Sequence, residues 1–345
     1  MKAVVKTAPG EANVELLERD APRPGAAEVL IEVKAAGVCG SDLHIYHWDT
    51  KYAIRTPVTM GHEMSGIVAE VGPSVTDWKP GDRVTVEPCL HTCGTCRYCR
   101  IGALNLCAER KVMGYWFDGA FAGHVVAPAQ KVHRLPPEVE FDEGALAEPL
   151  ACSVHAVCGL THVDMGDLVA VTGPGPIGLL CALLSKAAGA RVMLVGRTKD
   201  LGRLRLAAGL GVDYCVNSET DDAVKLAREL GHVHGADVVF ECSGAPEAAG
   251  LGLEIVRKQG AYTQIGLFGG NVIVDLGAVA YKELRFTGSI AQKWGDWERT
   301  MELMRKRTID LRAMVTDILP MSQWSEAFAR AESQRGLKIL LDPSR

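Results

Sequence analysis

Residues Val169–Gly178 read VAVTGPGPIG and set Gly173, Gly175 and Gly178 at G-x-G-x-x-G spacing. In a turn of this kind the first glycine reverses the chain, the second lets a pyrophosphate approach the backbone, and the third brings helix against strand. Alone the spacing is weak, because glycine-rich turns often serve no ligand. Its flanks strengthen it. Leu168–Thr172 is an apolar run that predicts a buried strand, and Ile177–Ala188 predicts a helix. The helix starts near Pro176, where its positive end would receive the phosphate. Leu168 to Ser185 is 18 residues without a charge, long enough to raise the question of a membrane span. Three glycines and two prolines in its first eleven residues break any bilayer helix, so strand, turn and helix is the reading.

The alternation continues downstream. Arg191–Val195 predicts a strand, Leu201–Leu210 a helix, and Ala236–Cys242 and Ala261–Gly266 buried strands on either side of a helix, Pro246–Lys258. Such a succession implies parallel βαβ units and a doubly wound sheet. Upstream, the first 150 residues read as short strands and loops: Glu28–Ala36, Gly66–Val71 and Arg83–Val86, punctuated by Val71-Gly72-Pro73 and Lys79-Pro80-Gly81-Asp82. After about Ser289 come two helical patterns, Trp294–Arg307 and Ser322–Ser333, and a short strand, Leu337–Leu341. The expected fold class is α/β: a β-rich domain over 1–154, a dinucleotide-binding domain over 155–289, and a C-terminal return over 290–345.

A chain of 345 residues suits about two domains. Its 37 basic and 42 acidic residues give a net charge of −5, which argues against nucleic-acid binding through phosphate neutralisation. The opening MKAVVKTAPGEANVE has no apolar run suited to a signal peptide, so a cytoplasmic protein without a membrane partner is expected. Eleven cysteines, an odd number, argue against a disulfide framework. Cys158, Cys181, Cys215 and Cys242 lie in apolar stretches and read as small core residues.

The end of the second predicted strand bears on NAD against NADP. Where a carboxylate would accept hydrogen bonds from the adenosine ribose, the chain has Val195-Gly196-Arg197-Thr198-Lys199. The key position falls on Gly196 or Arg197, neither of them acidic. Glycine leaves space for a 2′-phosphate, and Arg197, Thr198, Lys199 and Arg203 could contact it. NADP is therefore expected ahead of NAD; the other reading is a solvated basic turn with Asp200 as a displaced ribose ligand.

Two groups suggest metal. Cys93, Cys96, Cys99 and Cys107 give C-x2-C-x2-C-x7-C, and four thiolates so close can close a tetrahedral zinc site with no open position. A reduced cysteine loop and an iron–sulfur site are the competing readings, and structural zinc is preferred. The second group is dispersed: Cys39 in GVCGSDLH, His62 and Glu63 in MGHEMSG, and Glu148 in AEPLA. All are competent zinc ligands, but each taken alone also reads as an ordinary buried cysteine, core histidine or surface carboxylate.

Gly61-His62-Glu63-x-x-Gly66-x5-Gly72-x-x-Val75, the four-cysteine loop and the later glycine turn occur in the order seen in zinc-dependent medium-chain alcohol dehydrogenases, which the whole chain resembles. GVCGSDLH, the EPL around Glu148 and the terminal GLKILLDP look most like sorbitol dehydrogenases, whereas His44-Ile-Tyr-His-Trp-Asp49 looks like threonine 3-dehydrogenase. The resemblance implies a GroES-like catalytic domain, a Rossmann domain, and a homodimer or homotetramer. It implies two zinc ions per chain, the catalytic one held by Cys39, His62 and either Glu63 or Glu148. Ser41 matches the hydroxyl that begins proton removal, and His44 lies where a relay or substrate contact is expected. The turn Gly173, Gly175, Pro176, Ile177, Gly178 would bind the dinucleotide, with Gly266-Leu267-Phe268 and Ser289-Ile290 bordering the nicotinamide. The implied activity is hydride transfer from a polyol or other secondary alcohol to NAD(P)+. Alternatives are an L-threonine or amino-alcohol dehydrogenase, and a non-catalytic zinc- and nucleotide-binding protein. The histidine that threonine dehydrogenases place three residues before the first loop cysteine is Leu90 here, with His91 one position displaced. Threonine itself is thereby disfavoured.

Overall fold

The computed structural model describes residues 1–50 and 52–345. They form two compact units: 1–148 with 293–307 and 311–345, and 149–292 with 308–310.

The second unit is built on six strands, numbered here within it: β1 Leu168–Thr172, β2 Arg191–Gly196, β3 Tyr214–Asn217, β4 Ala236–Glu241, β5 Val256–Gln264 and β6 Arg285–Gly288. All pairs are parallel, in the order β3-β2-β1-β4-β5-β6. The order reverses between β1 and β4, and a ligand crevice forms at such a reversal, outside the carboxyl ends of the strands. The glycine turn follows β1 at that place and opens helix α1, Pro176–Ala187. β1 is wholly buried, which is why its sequence is a continuous apolar run rather than an alternating one. Helix Pro246–Ile255 ends earlier than the sequence pattern suggests. Val256 already pairs with Ala236, so the last three residues expected in the helix, Val256 to Lys258, belong to β5. The β-branched valine takes a buried ladder position that outweighs another part-turn of helix.

The first unit contains a sheet in the order Val132–Arg134, Arg83–Val86, Glu63–Val71, Glu28–Gly37, Lys338–Asp342, Val315–Pro320, with His124–Pro128 also paired to Glu28–Gly37. Its central strand ends at Gly37, which lies opposite Glu63 on one neighbour and Leu340 on the other. The strands Glu28–Gly37 and Lys338–Asp342, some 300 residues apart in sequence, are thus adjacent in one sheet. The core of this unit includes Ile31, Met64, Val84, Phe121 and Leu341.

Gly178 tests the turn. A Cβ there would overlap the carbonyl oxygen of Gly173 and lie 3.3 Å from the Cys242 Cβ. Gly178→Val should cost about 1–3 kcal/mol of stability in a denaturant melt and weaken dinucleotide binding in a fluorescence titration. Binding unchanged from wild type would show that the turn does not hold the pyrophosphate.

Candidate active site

Cys39 caps the N-terminus of the helix Gly40–His47, and its backbone N–H donates to the Asp42 carboxylate at 2.9 Å. That bond fixes the turn carrying Cys39 and Ser41. His62 lies immediately before the strand Glu63–Val71, which pairs with the strand that leads to Cys39. The Cys39 Sγ, a His62 ring nitrogen and a Glu63 carboxylate oxygen lie within 4.8 Å of one another. Ser41 Oγ is 3.2 Å from His62 Nε2. One turn further along the helix, His44 Nδ1 meets Asp49 Oδ1 at 2.8 Å, both side chains partly exposed. Glu148 is buried in the same unit but outside the set of three.

The charges of this pocket are buried. Asp42 is fully buried, its Oδ1 3.5 Å from His62 Nδ1, and neither atom has a hydrogen-bond partner. Glu63 pairs with the ammonium of Lys338, which also donates to the Val38 carbonyl at 3.0 Å. The pair occupies space that only glycine at position 37 leaves free: a Cβ there would come 2.8 Å from the Lys338 Cε and strike the Glu63 carboxylate. Burial acts to strip the proton from Lys338, but Glu63, Cys39 and Glu148 outweigh it and hold the ammonium above its ordinary range. His62 behaves likewise: desolvation opposes its protonation, and Asp42 and Cys39 nevertheless raise it well above the usual imidazole value. Two buried bases retaining protons report a strongly negative local field. With a thiol, an imidazole and a carboxylate in reach and two orphaned polar atoms beside them, the residues fit a divalent cation.

The Tyr115 ring lies 5.9 Å from that of His62, whose Nε2 meets Ser41 Oγ. Burial raises the Tyr115 pKa, so the phenol stays neutral. Tyr115 reaches the pocket because Gly114, at φ +79°, packs directly on Gly61: a Cβ on Gly114 would sit 2.8 Å from the Gly61 carbonyl oxygen.

The second cluster is a separate lobe. Sγ–Sγ distances are 3.6 Å for Cys96–Cys99, 3.6 Å for Cys93–Cys107 and 3.9 Å for Cys93–Cys99. A disulfide needs about 2 Å, whereas a tetrahedron with metal–sulfur bonds of about 2.3 Å has edges of about 3.8 Å. Backbone N–H groups of Cys96, Cys99 and Cys93 point at the sulfurs of Cys93, Cys96 and Cys107. Those from Cys96 and Thr95 lower the Cys93 pKa to about 6, favouring the thiolate a metal requires. His91 points to solvent, while Leu90, its neighbour on the strand Cys89–His91, packs against the core. The one-residue displacement thus turns the imidazole away from the position Leu90 takes.

In the second unit, Gly173 adopts φ +95° and a Cβ at Gly175 would meet nothing within 4 Å, leaving the backbone open to a ligand. Pro176 is the first helical residue, with Ile177 and Gly178 behind it. The loops expected to border the nicotinamide are braced by Glu241, at the end of β4. This buried carboxylate accepts from the backbone of Ser243 and Gly244 and from the Gln264 side chain. Gly266 packs against Gly244, Leu267 and Phe268 follow it, and the Ser289 N–H donates to the Gln264 carbonyl at 2.9 Å, with Ile290 next in the chain.

The adenosine end departs from expectation in three ways. The space beside Gly196 is filled, since a Cβ would lie 2.8 Å from Pro174 and 3.1 Å from the Asp200 Cβ. Asp200 is turned inward, accepting the Arg197 backbone N–H at 3.0 Å, so it is a cap rather than a displaced ribose ligand. Arg197 is not free: its Nε and Nη2 each lie 2.7 Å from the Glu219 carboxylate. Thr198 donates its N–H to the same carboxylate and Arg203 is half-buried near Asp200.

Sequence profiles match in two places: Alcohol dehydrogenase GroES-like domain over residues 25–137 and Zinc-binding dehydrogenase over 176–306. A sorbitol dehydrogenase of Halalkalibacterium halodurans is 42% identical over 344 residues, covering 99% of each chain. The chain belongs to the zinc-dependent medium-chain alcohol dehydrogenases. An L-threonine 3-dehydrogenase of Pyrococcus horikoshii is 38% identical over 92% of this chain and 90% of its own. A zinc-binding dehydrogenase of Sinorhizobium meliloti, solved bound to NADP, superposes with a TM-score of 0.91 at 31% identity, covering 99% of both chains. As a member of this family the protein is a zinc-dependent alcohol oxidoreductase that uses NAD(P).

Asp42, Tyr115, Lys338 and Glu219 were not among the sequence candidates. Of these only Lys338 leaves a trace in the sequence, as a cation heading the apolar run Ile339-Leu340-Leu341 of the terminal strand. Lys338→Met should lower unfolding free energy by about 3–5 kcal/mol, because it strands a buried carboxylate. A denaturant melt of the metal-loaded protein reads this, and a loss under about 1 kcal/mol would show that Glu63 does not depend on the pair.

Proposed function

We propose that the protein oxidises a polyol or related secondary alcohol, with Cys39, His62 and either Glu63 or Glu148 holding the catalytic metal. The observation that carries this is the convergence of Cys39, His62 and Glu63 beside the Ser41 hydroxyl. Zinc held there would supply Lewis acidity toward the substrate oxygen, and bound nicotinamide the hydride acceptor. The protein's own residues do the rest. Ser41 Oγ accepts the substrate's hydroxyl proton as it passes its own proton on. His44, one turn along the helix and bonded to Asp49, forms its outlet to solvent. Asp42 orients His62, and Tyr115 closes the pocket against water.

The 42% identity to a sorbitol dehydrogenase and the outward His91 favour a polyol. An amino alcohol is the second reading, favoured by the threonine dehydrogenase relatives and the His44–Asp49 pair. A non-catalytic binding role gives no reason for Ser41 beside a three-ligand pocket. Cys93, Cys96, Cys99 and Cys107 would hold a second, structural zinc, making two per chain. For the dinucleotide, Arg197 and Thr198 favour NADP over NAD, and Gly173, Gly175, Pro176, Ile177 and Gly178 hold the pyrophosphate. A homodimer or homotetramer is supported by the edge strand β6, beside which Ile273, Leu276, Tyr281 and Phe286 stand exposed. All eleven cysteines are free thiols, which suits the cytoplasm, and no described helix is long and apolar enough to cross a membrane.

Zinc-loaded protein offered NADP or NAD with polyols and amino alcohols should generate reduced nicotinamide, fastest with a polyol. Cys39→Ser should abolish turnover while keeping the circular dichroism spectrum and dinucleotide affinity. Turnover retained in that variant would reject the site. Silence across the panel with both cofactors would return the protein to a binding role.

A further inference from the structure

Glu219 follows β3, the strand beside β2, and its carboxylate lies against the residues that end β2. Its Oε1 accepts from Arg197 Nε and Nη2 at 2.7 Å, and its Oε2 accepts from the Thr198 backbone N–H at 3.0 Å. The turn is braced: Asn217 Nδ2 donates to Thr198 Oγ1 at 3.1 Å, and the Ser218 N–H donates to the Gly196 carbonyl at 2.9 Å. A guanidinium and a backbone N–H at the carboxyl end of the second strand are the donors a ribose 2′-phosphate would use. Here they already hold an anion.

We propose that Glu219 sets cofactor choice: it occupies the seat of the 2′-phosphate, and NADP binds only by displacing it. This rests on the reading that the adenosine ribose lies against Arg197 and Thr198. Carboxylate and phosphate carry the same sign and cannot share these donors. Thr198 and then Arg197 also lower the Glu219 pKa to about 2, so the carboxylate is ionised across the working pH range and protonation does not clear the seat. Both side chains of the pair are partly exposed, 58% for Arg197 and 40% for Glu219, so an incoming phosphate can reach and exchange them. NAD needs no exchange, and its ribose hydroxyl can donate to Glu219 in place. Glu219 therefore restrains the preference for NADP that Arg197 alone would create, so that NADP is favoured by less than an unopposed guanidinium would give and NAD is still accepted.

The test is the dissociation constant of each dinucleotide for the zinc-loaded protein, by calorimetry, in wild type, Glu219→Gln, Glu219→Ala and Arg197→Ala. Both Glu219 variants should tighten NADP by about fivefold or more and leave NAD unchanged or weaker, with melting temperature preserved. Arg197→Ala should weaken NADP and spare NAD. If Arg197→Ala behaves so while both Glu219 variants bind NADP no better than wild type, the proposal is overturned and the ribose reading stands. If neither position alters either constant, the ribose lies elsewhere and both fail.

Discussion

A buried ion pair between Glu63 and Lys338, seated in the space left by Gly37, joins the two strands that flank the central strand of the first unit's sheet. Lys338 stands 300 residues from Val38, whose carbonyl it also binds. Until the C-terminal strand returns, Glu63 has no counter-charge and the pocket of Cys39, Asp42 and His62 has no wall on that side. Breaking such a pair costs far more than a surface pair, because the surviving charge stays out of water. Even complete, it leaves the pocket rich in carboxylates: Asp42 and Glu148 stand buried there beside Glu63, with Lys338 as the paired ammonium. Holding a proton on buried His62 is one way to answer that field, and a divalent cation is the stronger one. The same electrostatics that close the sheet thus prepare the catalytic centre.

The two units divide the chemistry. In one, backbone shape does the work: a glycine turn at the reversal of strand order leaves an open approach to the helix N-terminus, and Glu241 ties the neighbouring loops to the strand ends. In the other, side-chain charge does it, and the four-cysteine lobe forms locally, its sulfurs oriented by their own backbone N–H groups. Contacts within 15 residues make that lobe nearly independent of the remaining fold.

These differences explain what was legible in the sequence. The glycine turn and the cysteine lobe are local, so spacing reveals them, and buried parallel strands such as Leu168–Thr172 show as unbroken apolar runs. Cys39, His62 and Glu63 meet only in the fold, with Glu148 outside the set of three, and family resemblance, not periodicity, drew the four together. Asp42 and Tyr115 were missed because each depends on a neighbour fixed by tertiary packing: Asp42 on the approach of His62, Tyr115 on the contact of Gly114 with Gly61. At the adenosine end the composition misled. Gly196 reads as empty space, but Pro174 fills it, and Arg197 reads as an unopposed cation, but Glu219, 22 residues on, holds it. Neither contact has a signature in one dimension.

The claim on which the account rests is that the negative pocket around Cys39 and His62 is built for a metal ion. Anomalous difference density at the zinc absorption edge, from crystals of the metal-loaded protein, tests it most directly. Two peaks per chain are expected, one bonded to Cys39 Sγ, His62 and a carboxylate of Glu63 or Glu148, the other centred among Cys93, Cys96, Cys99 and Cys107. A map with density in the cysteine lobe but none beside Cys39 and His62 would contradict it.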